Sequence, residues 1–145
     1  MTDIIIQGIY GRMGRTLLEK IAARTDCRVV AGVDCKDGQV GEIPVFDSFE
    51  KLPCGGVLID FSSPAGAVAA AAYGAAKQLP GVICSTGLAP GQEDALRADS
   101  TKTPVFRSAN MSLGINVLIE LAKQATRTLG TEFDIEIIEK HHHNK

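Results

Sequence analysis

Ile4-Ile5-Ile6-Gln7-Gly8-Ile9-Tyr10-Gly11-Arg12-Met13-Gly14-Arg15 decides the fold. The apolar run at its start lacks polar alternation, so it reads as a strand covered on both faces. Gly8, Gly11 and Gly14 follow at regular spacing. The first permits a tight turn, the second lets the backbone approach a pyrophosphate, and the third lets helix and strand pack closely. From Met13 the apolar positions Met13, Leu17, Leu18 and Ile21 recur at helical spacing. A helix starting there turns free N–H groups and a positive dipole end towards a phosphate.

The next strand-like run, Arg28 to Val33, ends on Asp34. That acid lies 34 − 14 = 20 residues past the third glycine. The spacing suits a carboxylate that accepts the adenosine ribose hydroxyls. The plainer alternative is a tight turn with no ligand and an acid that merely ends a strand. Strand, glycines, helix and acid together favour the site.

A chain of 145 residues can bury a real core, and its 45% hydrophobic and 22% charged residues are ordinary globular values. A net charge of −2 without a basic stripe gives no sign of a nucleic-acid partner. The apolar runs are too short to span a membrane. Met1-Thr2-Asp3 has neither the basic start nor the apolar core of a signal peptide. Cys27, Cys35, Cys54 and Cys84 form no Cys-x-x-Cys pair and read as reduced thiols of a cytoplasmic protein.

Further elements follow in alternation. Ile43-Pro44-Val45-Phe46 suits an edge strand, and Gly56 to Phe61 a buried one. Ser63 and Pro64 supply the N-cap and first position of an alanine-rich helix to about Gln78. Gly81 to Cys84 is another strand, Pro90 opens a helix to about Asp99, and Pro104 to Arg107 is a strand. Leu113 to Leu129 reads as a long helix stopped by Gly130. The pattern predicts an α/β fold, a Rossmann-like doubly wound parallel sheet. Ligands of such sheets bind beyond the strand C-termini. Gly8–Gly14, Asp34, Asp60–Pro64, Cys84–Gly87 and Ala109–Ser112 all follow strands and would line one crevice.

Phe133 to Glu139 alternates apolar and polar residues and is expected to open a second, α+β domain as a strand with one wet face. The expected division is residues 1–130 for the dinucleotide-binding domain and 131–145 for the start of the second. The strand runs into Lys140-His141-His142-His143-Asn144-Lys145. In an extended segment His141 and His143 share a face and His142 points away, so a metal shell is poorly supplied. An expression tag, a solvated tail, and a proton-transfer and anion-binding cluster are the other readings.

Gly8-x-x-Gly11-Arg12-Met13-Gly14, Asp60-Phe61-Ser62-x-Pro64, Ser85-Thr86-Gly87, Ala109-Asn110-Met111-Ser112-x-Gly114-x-Asn116 and Glu139-x-His141-His142-x-x-Lys145 occur in that order. Together they resemble the 4-hydroxy-tetrahydrodipicolinate reductase (dihydrodipicolinate reductase) family of the diaminopimelate route to lysine. The resemblance covers the whole chain, and its last motif removes the tag and tail readings. It implies that Gly8, Gly11, Arg12, Met13 and Gly14 hold the pyrophosphate of NADH or NADPH. Asp34 would take the ribose. Phe61, Ser85, Thr86, Gly87, Ala109 and Met111 would frame the rest of the cofactor. His141 would be the general acid, and His142 and Lys145 would hold the carboxylates of a small dicarboxylate substrate, with Lys145 also assisting protonation.

The sequence departs from the family in two places. Many members follow the ribose acid with an arginine for the 2′-phosphate of NADPH; this chain has Cys35 and then Lys36. Members also continue past the final lysine into a tetramer-forming domain, so the chain resembles a truncated member. A cofactor-binding redox sensor without catalysis, or a dehydrogenase for another small anion, are the competing functions.

Overall fold

The structure is a computed structural model and describes residues 1–53 and 55–140. Two compact units divide at Ala109/Asn110. The division falls earlier than the expected boundary at residue 130.

In the first unit, β1 (Thr2–Gln7), β2 (Cys27–Val33), β3 (Gly38–Val40), β4 (Ile43–Phe46), β5 (Val57–Asp60), β6 (Gly81–Ile83) and β7 (Val105–Arg107) form one sheet. Its order is β3-β4-β2-β1-β5-β6-β7. All pairs are parallel except β3 with β4. Leaving out β3, this is the doubly wound 3-2-1-4-5-6 order, which reverses between β1 and β5.

The isoleucine run shows why β1 is central. Ile4, Ile5 and Ile6 are all buried. Alternation sends Ile5 to one face and Ile4 and Ile6 to the other. Ile5 packs with Ala67, Ala70 and Ala71 of α2 (Pro64–Lys77) and Leu96 of α3 (Pro90–Asp99). Ile4 and Ile6 pack with Leu17, Leu18 and Ile21 of α1 (Arg12–Ala22). Removing the side chain of Ile5 would cost about 2–5 kcal/mol, the usual range for a buried aliphatic.

Local chemistry sets the helix ends. Ser63 Oγ accepts from Gly66 N at 3.1 Å, and Pro64 occupies the first turn of α2. Small residues let α2 lie close to the sheet, and its left-handed C-cap, Gln78 (φ 55°), returns the chain to β6. Pro90 opens α3, whose Gln92 Oε1 accepts from Ala89 N at 2.9 Å.

Two expectations need correction. Ile43–Phe46 is not an edge strand: β4 lies between β2 and the short β3, which forms the edge. The stretch between β2 and β4 is too short for a crossover helix, and its polar sequence gave no strand period. The expected strand over residues 133–139 is also absent. The second unit contains α4 (Leu113–Leu129) and a 3-10 turn at Gly130–Glu132, and residues 134–140 carry no helix or strand. A strand exists only as part of a ladder, and this unit supplies no neighbour among its described residues.

α4 starts at Ser112, whose Oγ accepts from Ile115 N at 3.4 Å, and Asn116 Nδ2 donates to Ser112 O at 2.8 Å. It ends at Gly130 (φ 70°) as the sequence indicates. No residue of α4 is buried.

Candidate functional site: the crevice at the strand ends

β1 delivers Gln7 and Gly8 to the C-terminal edge of the sheet. Gly8 has φ +79°, which a side chain rarely adopts, and its N–H donates to Val33 O at 2.9 Å. Gly11 N–H then donates to Gly8 O at 3.0 Å and closes the turn. Gly14 is buried against that turn: a Cβ there would lie 2.6 Å from Ile9 Cα and closer still to Gly8 O. It is the close-packing glycine. A Cβ on Gly11 would meet only Gly8 O, at 3.1 Å, so the space in front of the turn is open.

Gly11 is also the N-cap of α1 and brings no capping side chain, and no acidic residue sits in the first turn. The N–H groups of that turn therefore face outward with the positive end of the helix dipole. Arg12 and Met13 are exposed on the same turn.

Asp34, directly after β2, holds the turn from the side. Its Oδ2 accepts from Tyr10 N at 2.8 Å and its Oδ1 from Cys35 N at 2.7 Å. The acid thus fixes the glycine turn while keeping lone pairs for a ligand hydroxyl.

A hollow of about 590 Å³ opens here, lined by Gln7, Gly8, Gly11, Asp34, Phe61 and Ser62 among others. It brings together four of the expected cofactor residues: Gly8, Gly11, Asp34 and Phe61. The sequence reading missed Gln7 and gave Ser62 no role of its own. Gln7 is buried, and its Oε1 accepts no hydrogen bond from the described residues. The available signal was a polar residue ending an otherwise apolar strand. An uncapped helix start, an open turn and an unsatisfied buried acceptor fit the phosphate and ribose of a dinucleotide.

The other expected residues lie outside this hollow. Ser85 is buried and Thr86 is exposed at the end of β6, and Gly87 has φ +78°. Ala109 and Met111 fall in different compact units. His141, His142 and Lys145 lie outside the described residues, as does Cys54.

Cys27, Cys35 and Cys84 are free thiols. Burial, and then the charge of Asp60, push the Cys84 thiol up to about 11, with Arg107 opposing. Cys84 is therefore an inert packed thiol at neutral pH. Among the described residues no group of His, Cys, Asp and Glu is arranged to hold a metal. No helix of the described residues is long and apolar enough to cross a membrane.

A doubly wound sheet whose first turn offers bare amides, with an acid at the end of the next strand, is a Rossmann-like α/β fold. The sequence profile of the N-terminal part of dihydrodipicolinate reductase matches residues 2–111, so the chain belongs to that family. It is 38% identical to 4-hydroxy-tetrahydrodipicolinate reductase of Clostridium tetani and 42% identical to that of Clostridium botulinum (strain Eklund 17B / Type B). All of this chain is matched in both cases, against 57% and 58% of those proteins. The chain thus spans somewhat under three fifths of the length of these relatives.

The fold is also that of solved structures. Dipicolinate-bound dihydrodipicolinate reductase from Paenisporosarcina sp. TG-14 superposes with a TM-score of 0.74 at 21% identity, over 86% of this chain and 53% of that one. Aspartate dehydrogenase from Thermotoga maritima gives a TM-score of 0.58 at 16% identity, over 85% and 52%. At these identities the likeness is one of fold.

Proposed function

We propose that this chain is the dinucleotide-binding part of a reductase that converts 4-hydroxy-tetrahydrodipicolinate to tetrahydrodipicolinate with NADH or NADPH, in the diaminopimelate route to lysine. The observation that carries the reading is the open glycine turn beside Asp34, in a chain matched along its whole length by relatives of that name. Gly8, Gly11 and the first turn of α1 hold the pyrophosphate, and Asp34 takes the adenosine ribose. Ser85, Thr86, Gly87, Ala109 and Met111 frame the nicotinamide. When bound, the cofactor supplies a hydride.

Asp34 favours NADH, because a carboxylate repels a 2′-phosphate. Arg15 and Lys36 line a neighbouring hollow of about 500 Å³ with Tyr10 and Cys35, and Lys36 Nζ lies 5.9 Å from the Tyr10 ring centroid. These cations let the same site accept NADPH.

Residues 131–145 begin the substrate-binding part. His141 gives the reduced ring its proton, and His142 and Lys145 hold the two carboxylates of the substrate. The assembled enzyme is a cytoplasmic homotetramer.

The test has two arms. NADH is titrated into the chain by fluorescence, with ADP-ribose as competitor; saturable, competed binding is expected, and its absence sinks the reading. For the chemistry, residues 1–145 are joined to the remaining C-terminal part of the Clostridium botulinum relative and assayed on freshly generated substrate. His141→Gln should lower kcat by ~10²–10⁴ and move KM much less, as for loss of a general acid. An unchanged kcat would remove His141 from that role.

A further inference from the structure

The dinucleotide reading leaves one buried charged group without a task. Asp60 ends β5 and is 0% exposed. Its neighbours in the ladder carry no charge: Ile83 of β6 pairs with it on one side and Gln7 of β1 on the other. No cation forms an ion pair with it among the described residues; Arg107, the nearby candidate, is bound to Glu93 and to Ile83 O. Burying a carboxylate costs several kcal/mol, and packed apolar residues of similar volume often serve stability as well or better. Core packing alone therefore does not account for Asp60.

Its hydrogen bonds divide between two loops. Oδ1 accepts from Ser62 N at 3.1 Å and from Ser62 Oγ. Oδ2 accepts from Ser85 Oγ at 2.6 Å and, more weakly, from Ser85 N at 3.4 Å. Ser62 lies in the turn that lines the hollow beside Asp34. Ser85 opens the loop after β6 that leads to Thr86 and Gly87. One carboxylate thus ties together the ends of two adjacent parallel strands.

The bonds also fix the chemistry of the serines. A carboxylate only accepts, so each hydroxyl spends its single proton on Asp60. Ser62 Oγ, at the hollow, then keeps only lone pairs for a ligand. Ser62 is held tightly on its other side as well: a Cβ on Gly66 would collide with Ser62 Oγ and lie 2.7 Å from Gln7 Nε2.

We propose that Asp60 is a positioning residue for the dinucleotide. It aligns the Ser62 turn and the buried start of the Ser85 loop with each other and turns the Ser62 hydroxyl, which lines the hollow, into an acceptor for a hydroxyl or amide donor of the ligand. The proposal rests on the dinucleotide reading above. It predicts coupling between the two loops through one side chain.

The experiment uses the 145-residue chain, with ADP-ribose and NADH as probes and amide hydrogen exchange as a readout that needs no ligand. In Asp60→Asn, which preserves shape, Ser62 and Ser85 amides should both exchange faster while Ile5 and Ile6 stay protected. NADH should bind about tenfold more weakly, the scale of one lost hydrogen bond to a charged group. In a Ser85→Ala background the same substitution should weaken NADH much less, because Asp60 acts through the serine. Ser62→Ala, a mild change at an exposed position, should by itself speed exchange at Ser85. It keeps the proposal testable if Asp60 variants do not fold. Unchanged Ser85 exchange in Ser62→Ala, or full and additive losses in the Ser85→Ala background, would overturn the proposal. Faster exchange in Asp60→Asn with unaltered NADH affinity would do the same, leaving Asp60 a purely structural group. A wild-type chain that binds neither probe overturns the dinucleotide reading itself, and this proposal with it.

Discussion

Asp34 has a structural task beside the one proposed for it, and its position in the sequence does not separate the two. Spacing past Gly14 marked it for the ribose, but its carboxylate also fastens Tyr10 N and Cys35 N. Asp34→Ala should therefore weaken both cofactors through the loosened turn, and NADH further. The extra loss, about tenfold to a hundredfold, is that of a charged hydrogen bond. NADPH, freed from repulsion at its 2′-phosphate, should lose less. Equal losses in parallel fluorescence titrations would remove Asp34 from the ribose. The glycines separate in the same way. Gly11→Val should lower the melting temperature only slightly, since its Cβ would press on Gly8 O alone at 3.1 Å, and abolish binding, because the branched side chain would fill the space proposed for the pyrophosphate. Gly14→Ala should instead destabilise the fold, since its Cβ meets backbone of Gly8 and Ile9. Calorimetry on both variants, with the opposite ranking, would reverse the two assignments. Cys84 makes a prediction on pH. Its folded-state value is raised from 9.0 to about 11, so the stability it contributes is full below about pH 9 and declines as pH rises towards 11. Denaturation midpoints should fall over that window, and Cys84→Ala should flatten the fall. Spacing exposes glycines and one acid to a reader of sequence. It does not expose Gln7 or Asp60, whose importance lies in partners from other strands.

At the scale of elements, local signals sufficed where the chemistry is local. Ser63 with Pro64 and Pro90 open two helices, Gly130 closes a third, and the triple isoleucine marks the central strand. β3 was invisible because Gly38-Gln39-Val40 becomes a strand only by pairing with β4. Residues 133–139 show the reverse case: a clear period of two without a ladder. Exposed Phe133, Ile135 and Ile137 have the apolar side of a strand and no neighbour among the described residues to bury it. Their amides should exchange without protection in the 145-residue chain. They should become protected when the C-terminal part of a relative is joined on and supplies pairing strands. Protection in the short chain at high dilution would show that the segment finds its partner within residues 1–145.

For the whole molecule, the distribution of the core decides what can stand alone. Among the described residues, both buried clusters draw only on positions up to Val105, and all seven strands lie before Ala109. The turn, Asp34, the hollow beside them and the Asp60 network lie in the same unit. α4 buries no residue and leaves Leu113, Val117, Leu118 and Leu121 exposed. Stability should therefore reside in residues 1–109, with α4 contributing little. A chain ending at Ala109 should unfold in one cooperative transition within about 1 kcal/mol of the 145-residue chain, since exposed positions contribute weakly. It should retain ADP-ribose binding and, on the proposal that Met111 contacts the nicotinamide, lose part of its affinity for NADH. Urea titration and calorimetry measure both quantities. A loss of several kcal/mol would overturn that assignment of stability.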